Sequence, residues 1–237
     1  MTKKILIVED NPTLSDVLFD YLGSEGYVCH VIDNGLLVED WVRANLPNMI
    51  LLDVALPGKN GLDLCRALRE FSNVPIIMIT GRAEEGDRLK GLNNGADDYI
   101  CKPFRPREVV ARVNAIFRRV EPHYGVDVAI KEKPADDQFF LLDDKRQKLY
   151  VHGEEITLTS MQCNILSTLM SNEGVILSRD ELMNRIYPDN RIVSHRTIDS
   201  HIRELRKNIA RLLPDQDVIY AIYAAGYKYR SEEHTSE

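Results

Sequence analysis

The chain has 237 residues, 44% of them apolar and 28% charged, with a formal net charge of −7. That length is long for one domain and comfortable for two, and the composition excludes a disordered or fibrous chain. The acidic balance gives no general attraction to nucleic acid, so any such binding must come from a local basic patch. Cys29, Cys65, Cys101 and Cys163 are scattered without a CxxC pair, which reads as reduced thiols and neither a disulfide framework nor a zinc site. The short run Ile5-Leu6-Ile7-Val8 ahead of Glu9-Asp10 is no signal peptide, and no apolar run approaches membrane-spanning length. The expectation is a cytoplasmic protein with no membrane partner.

In chain order, residues 5–8, 28–32, 49–52, 75–79 and 98–101 read as strands. Between the first two, Leu14, Val17, Leu18, Tyr21 and Leu22 recur at helical spacing. Asn11-Pro12 suits the start of that helix, with proline at an early position. Val109, Val110, Val113, Ile116 and Phe117 predict a last helix before residue 120. Strands alternating with helices predict an α/β domain with a parallel sheet covered on both faces. The apolar runs 49–52 and 76–79 fit burial on both sides. Residues 121–137 carry no sustained period and read as a linker between a first domain at 1–120 and a second at 138–231, with a tail over 232–237. The second domain begins with short β-like pieces at 139–142, 148–152 and 155–158. Helical patterns follow over 160–171, 179–187 and 194–213, and a hairpin over 218–223 and 227–230.

Functional groups stand at the ends of the first domain's strands. Glu9-Asp10 follows 5–8, Asp53 follows 49–52, Thr80 follows 76–79, and Lys102-Pro103 follows 99–101. Ligands in open α/β sheets bind beyond the carboxyl ends of the strands, where strand order reverses. Three carboxylates in one cleft repel one another unless a hard cation joins them, and Mg²⁺ prefers such oxygen ligands. With Mg²⁺ bound, Asp53 can be a nucleophile toward a phosphoryl group. Lys102 and the Thr80 hydroxyl would support the charge that develops. Taken singly, the same residues also read as a polar strand end, a helix cap and a surface lysine.

The second domain carries its own signal in His195–Leu212. Ile198, Ile202, Leu205, Ile209 and Leu212 form an apolar stripe, and Arg196, Ser200, Arg203 and Lys207 repeat its spacing on the opposite face. A helix of this kind packs on a core and points cations outward. It suits the DNA major groove and equally an ordinary amphipathic surface helix.

Both halves match known patterns. KKILIVEDNP, ILLDVALPGKNGLDLCRALR, VPIIMITGRAEEGDRLKGLNNGADDYICKPF and REVVARVNAIFRR resemble a response-regulator receiver domain. LTSMQCNILSTLMSNEGVILSRDELMNRIY, RTIDSHIRELRK and IYAIYAAGYKY resemble the effector domain of the OmpR/PhoB family of two-component response regulators. CRALREFSNVPI, ADDYICKPFRPREVVARV and RTIDSHI look most like its BaeR-type subgroup. The resemblance implies a CheY-like, doubly wound five-stranded parallel sheet, then a winged helix-turn-helix with a small N-terminal β-sheet. It implies Asp53 as phosphoacceptor, and Mg²⁺ held by Glu9, Asp10, Asp53 and the Ala55 carbonyl. Thr80 and Lys102 become phosphate sensors, Tyr99 an aromatic switch that turns inward, and the Lys102-Pro103 bond cis. Arg88, Asp97, Asp98, Glu108, Arg112 and Arg119 become a dimer face, pairing Arg88 with Glu108, Asp98 with Arg112 and Asp97 with Arg119 across a two-fold after phosphorylation. As a plain charge pattern the same residues read as a solvated face.

By the same resemblance, Ser200 and Arg203 lie among base-contacting positions. Arg196, His201, Arg206 and Tyr227 would touch the phosphate backbone, with Lys207 on the same basic face. Tyr187–Ser194 would meet RNA polymerase. A sensor histidine kinase and double-stranded promoter DNA are the further partners implied. Two departures stand out: Ala224 where the wing commonly has glycine, and Glu204 where many relatives carry a base. The chemistry at Asp53 is shared with an Asp-nucleophile phosphohydrolase. Such an enzyme should cover its site, and no cap-sized insertion follows Asp53. The expectation is therefore a regulator that catalyses only its own Mg²⁺-dependent phosphotransfer and slow dephosphorylation. A protein-binding adaptor is the other alternative, and it predicts no salt-dependent DNA binding.

Overall fold

A computed structural model describes residues 2–81, 95–120, 140–186, 195–214 and 216–231, without the side chains of 119, 120, 195 and 196. The chain divides into two compact units, Met1–Arg118 and Arg119–Glu237.

In the first unit β1 (Lys4–Val8), β2 (Val28–Ile32), β3 (Met49–Asp53), β4 (Ile76–Gly81) and β5 (Asp98–Lys102) form one sheet in the order β2-β1-β3-β4-β5. Every pairing is parallel. The described α-helices are α1 (Pro12–Ser24), α2 (Val38–Asn45), α3 (Gly61–Arg69) and α4 (Pro106–Val120). The order reverses between β1 and β3, so the ends of these two neighbours border the crevice where ligands bind in such sheets. Met49 to Asp53 are all buried, as are Ile76 to Thr80, because helices cover both faces of a parallel sheet.

Local chemistry fixes the connections. Asn11 caps α1 by accepting from the Leu14 N–H at 3.1 Å, with Pro12 at the helix start; proline there removes an N–H that the first turn leaves unpaired anyway. Asn60 caps α3 through the Leu62 N–H at 2.8 Å. Gly61 follows, and a Cβ on it would stand 2.0 Å from the Asp53 carbonyl oxygen. Any larger residue would push α3 off the end of β3.

The second unit opens with the antiparallel sheet β6 (Phe140–Asp143), β7 (Lys148–Val151) and β8 (Glu154–Thr157). Then come α5 (Ser160–Met170), α6 (Arg179–Ile186), α7 (His195–Ala210) and the hairpin β9 (Ile219–Ile222) with β10 (Gly226–Tyr229). Thr159 and Gln162 form a reciprocal capping box at α5, satisfying two backbone donors of its first turn. Ile198, Ile202, Leu205 and Ile209 are buried in one cluster with Leu149, Leu166 and Leu182. Each such side chain contributes about 1.5–3 kcal/mol on burial. The last buried member of the stripe is Leu213, one residue later than the Leu212 that the sequence suggests. After Ala210 the chain tightens, the Leu213 N–H bonds to the Ile209 carbonyl, and Leu213 is buried while Leu212 is only partly so. Pro214 follows, and the residue before a proline is pushed out of helical geometry.

Candidate functional site

Glu9 directly follows β1 and is 1% exposed, and Asp53 ends β3 at 3%. Asp10 beside Glu9 is exposed, and oxygens of Glu9, Asp10 and Asp53 all lie within 4.8 Å of one another. Lys102 at the end of β5 bridges two of them. Its Nζ donates to Asp53 Oδ2 at 2.8 Å and to Glu9 Oε1 at 3.0 Å. Glu9 Oε2 is as near, at 2.8 Å, but off the line of a hydrogen bond, and it is a buried oxygen without one. Burial pushes the Glu9 carboxyl above its usual range, aided by Asp53 and opposed by the Lys102 hydrogen bond. Burial alone would pull the Lys102 ammonium down; its hydrogen bonds to Asp53 and Glu9 outweigh that and raise it. This oxygen-only set, with an orphaned buried oxygen and an exposed third carboxylate, fits Mg²⁺ by its donor chemistry.

The supporting residues take their places at the same edge. Thr80 is buried at the end of β4, its hydroxyl donating to the Gly81 carbonyl at a long 3.4 Å. Ala55 is exposed just beyond β3, where the Val54 N–H bonds to the Ile79 carbonyl. Tyr99 on β5 is half-buried against the core cluster of Val8, Leu52 and Met78. The Lys102-Pro103 peptide is cis.

Of the expected dimer face, Asp98, Glu108 and Arg112 come together within one chain. Arg112 Nη1 reaches Asp98 Oδ2 at 3.2 Å, and Nη2 reaches Glu108 Oε1 at 2.8 Å. Asp97 requires a correction. It is 2% exposed, its Oδ2 held by Arg69 Nη2 at 2.8 Å and the Ile76 N–H at 2.9 Å. Arg69 also donates to the Gly95 and Val74 carbonyls. Asp97 therefore ties the approach of β5 to the end of α3 and is not an outward partner for Arg119. Arg88 and the Arg119 side chain lie outside the described residues.

The basic helix also differs from its wheel. Arg203 and Lys207 are exposed, but Ser200 and His201 are 5% and 4% exposed. His201 stands about 60° from Ile198 at 100° per residue, so it flanks the apolar seam. Ser200 stands on the face opposite the seam and is nonetheless buried. Neither offers the open surface expected of a DNA contact. Tyr227 is 6% exposed and its hydroxyl donates to Asp199 Oδ1 at 2.7 Å. Arg206 bonds to Asp217 and Glu204 to Lys207. The Arg196 side chain and Tyr187–Ser194 lie outside the described residues. At the hairpin turn Ala224 has φ +55°, the left-handed region that costs a residue with a Cβ. Gly226 is irreplaceable for another reason, since a Cβ there would meet the Leu177 carbonyl oxygen at 2.0 Å.

Residues 5–114 match the family described as response regulator receiver domain, and 153–229 the one described as transcriptional regulatory protein, C terminal. Over 231 residues the chain is 44% identical to the transcriptional regulatory protein BaeR of Escherichia coli O6:H1, covering 98% of this chain and 94% of that protein. The chain belongs to the OmpR/PhoB family of two-component response regulators. Within that family it is similar also to the transcriptional regulatory protein AruR of Pseudomonas aeruginosa, at 38% identity over 237 residues, 97% of this chain and 96% of that one. A solved structure of a RitR mutant shares the fold, with a TM-score of 0.73 at 23% identity over 96% of this chain and 98% of that chain. As a response regulator of this family, the protein is a DNA-binding regulator of transcription and not an enzyme acting on a separate substrate. Among the described residues no helix is long and apolar enough to cross a membrane.

Proposed function

We propose that Asp53 is the phosphoacceptor and that its phosphorylation drives pairing of receivers and binding of promoter DNA. The carrying observation is Lys102, which holds Asp53 and Glu9 together at the carboxyl edge of the sheet. Glu9, Asp10, Asp53 and the Ala55 carbonyl would hold Mg²⁺, which when bound supplies positive charge to the phosphoryl oxygens. An Asp53 carboxylate oxygen forms the new P–O bond as the P–N bond of a phosphohistidine on the sensor kinase breaks and the imidazole leaves. Lys102, already at Asp53, neutralises the added charge, and the Thr80 hydroxyl turns from Gly81 to the phosphoryl group. Tyr99, half-buried beside Thr80's strand, moves inward into the space that Thr80 leaves.

The output is a dimer formed through the β5–α4 face. Asp98, Glu108 and Arg112 exchange intrachain partners for those of the second protomer, with Arg88 and Arg119 as further members of that face. Two tethered winged units then bind two half-sites, gaining affinity through effective concentration. Arg203, Lys207 and Arg206 face the DNA, with Arg196 at the start of α7. Residues 187–194 contact RNA polymerase, and the protein acts in the cytoplasm.

Acetyl phosphate with Mg²⁺ should add one phosphoryl group by mass and shift native protein toward dimer by light scattering. Asp53→Ala should do neither, while Arg112→Glu should keep the phosphoryl group and lose most of the shift. Phosphorylation of Asp53→Ala to the native level would overturn the assignment.

A further inference from the structure

Groups expected at DNA phosphates are held, in the free protein, by carboxylates of the same unit. Arg206 on α7 donates from Nη2 to both oxygens of Asp217, at 3.1 and 3.0 Å. Tyr227 on β10 donates to Asp199 Oδ1 at 2.7 Å, and Arg179 Nε reaches the same oxygen at 2.7 Å. The Arg179 guanidinium stands 5.1 Å from the centre of the Tyr227 ring. All but Arg179 line one pocket of about 390 Å³, together with Arg203 and Lys207.

The two carboxylates differ in kind. Asp199 joins α6, α7 and β10 and is itself 39% exposed, so it is part of how the unit is built. Asp217 precedes β9, is 62% exposed, and grips an arginine that is 39% exposed. A carboxylate offers a guanidinium the same pair of oxygens as a phosphodiester does. An exposed pair of this kind is weak and so can be displaced.

We propose that Asp217 is an affinity-setting residue, an internal stand-in for phosphate that occupies Arg206 and lowers the affinity of the basic helix for duplex DNA. A duplex must displace it to gain the Arg206 contact. Because a phosphate contact carries no sequence information, this cost falls on every duplex alike. The inference rests on the DNA-binding reading of α7.

The test is a double-mutant cycle on the full chain, read by fluorescence anisotropy with a random-sequence duplex across a salt series. Asp217→Asn, with Asp217→Ser as a second substitution, should tighten binding about two- to fivefold at low salt, the range open to an exposed pair. In an Arg206→Gln background the same substitutions should change affinity little, because the partner is gone. Equal tightening with and without Arg206 would reveal only general charge repulsion and overturn the proposal, as would no tightening at all. Absence of salt-dependent binding by the native protein would overturn the DNA reading itself, which separates the two failures.

Discussion

The cleft of the receiver and the basic face of the winged unit are both built from opposite charges, yet they are built differently. In the cleft, two nearly inaccessible carboxylates share one lysine, at 2.8 and 3.0 Å. On α7, Arg203 and Lys207 are open to solvent and Arg206 is held by a carboxylate that is more than half exposed. Buried charge is costly to leave unpaired, so the cleft is pre-organised, in the proposed function for a cation and a phosphoryl group. Exposed charge is weakly held and screened by salt, so the helix face is free to trade partners with a polyanion. In the proposed function one site stores a signal and the other reads DNA reversibly.

The largest expected effect breaks the first half of that contrast. Lys102→Met leaves Glu9 and Asp53 facing each other in the interior, and should destabilise the receiver by about 3 kcal/mol at neutral pH. Urea unfolding should record the loss, and millimolar Mg²⁺ should restore part of it. A loss below about 0.5 kcal/mol, the scale of a surface substitution, would mean that the cleft is wetter than its geometry indicates.

A second effect follows pH and belongs to the winged unit. Burial pushes the Tyr227 phenol up to about 12, with the Asp199 hydrogen bond adding to it, and burial with Glu173 does the same for Tyr229. Their folded values exceed the ordinary 10.0. Their stabilisation is therefore complete below pH 10 and is lost as pH rises from 10 through 12. Thermal unfolding of the winged unit should fall over that window, and Tyr227→Phe should make the fall shallower. A flat profile would place both phenols in water.

The smallest effect on stability is Arg203→Gln. It should leave unfolding within about 0.5 kcal/mol of native while reducing the slope of log affinity against log salt by about one. His201→Ala should do the reverse, lowering stability more than the salt slope. If His201 governs the slope instead, the side chain leaves its buried position on binding.

Much of the cleft was legible because the signal is local. An apolar run buries a strand, and the residue that ends the run is delivered to the sheet's edge. Asp53, Glu9, Thr80 and Lys102 needed no more than that, and the parallel order brought them together. The second unit was legible in its stripe but less so in its polar face. A helical wheel gives the angle of Ser200 and His201, not what covers them, and coverage is a long-range property. Asp97 carried no local signal, since the groups that hold it, the Arg69 guanidinium and the Ile76 N–H, are remote in sequence. Arg69 and Gly61 had none either, since their importance lies in backbone atoms remote in sequence: the Gly95 carbonyl for one and the Asp53 carbonyl for the other.

The central claim is that the phosphoryl group at Asp53 governs what α7 does to DNA. Selection of duplexes from a random pool, by native protein and by Asp53→Ala, each with and without acetyl phosphate and Mg²⁺, tests it most directly. Native protein should enrich a paired half-site strongly only when phosphorylated, and Asp53→Ala should enrich it weakly under both conditions. Equal recovery of the same site from both proteins would contradict the claim.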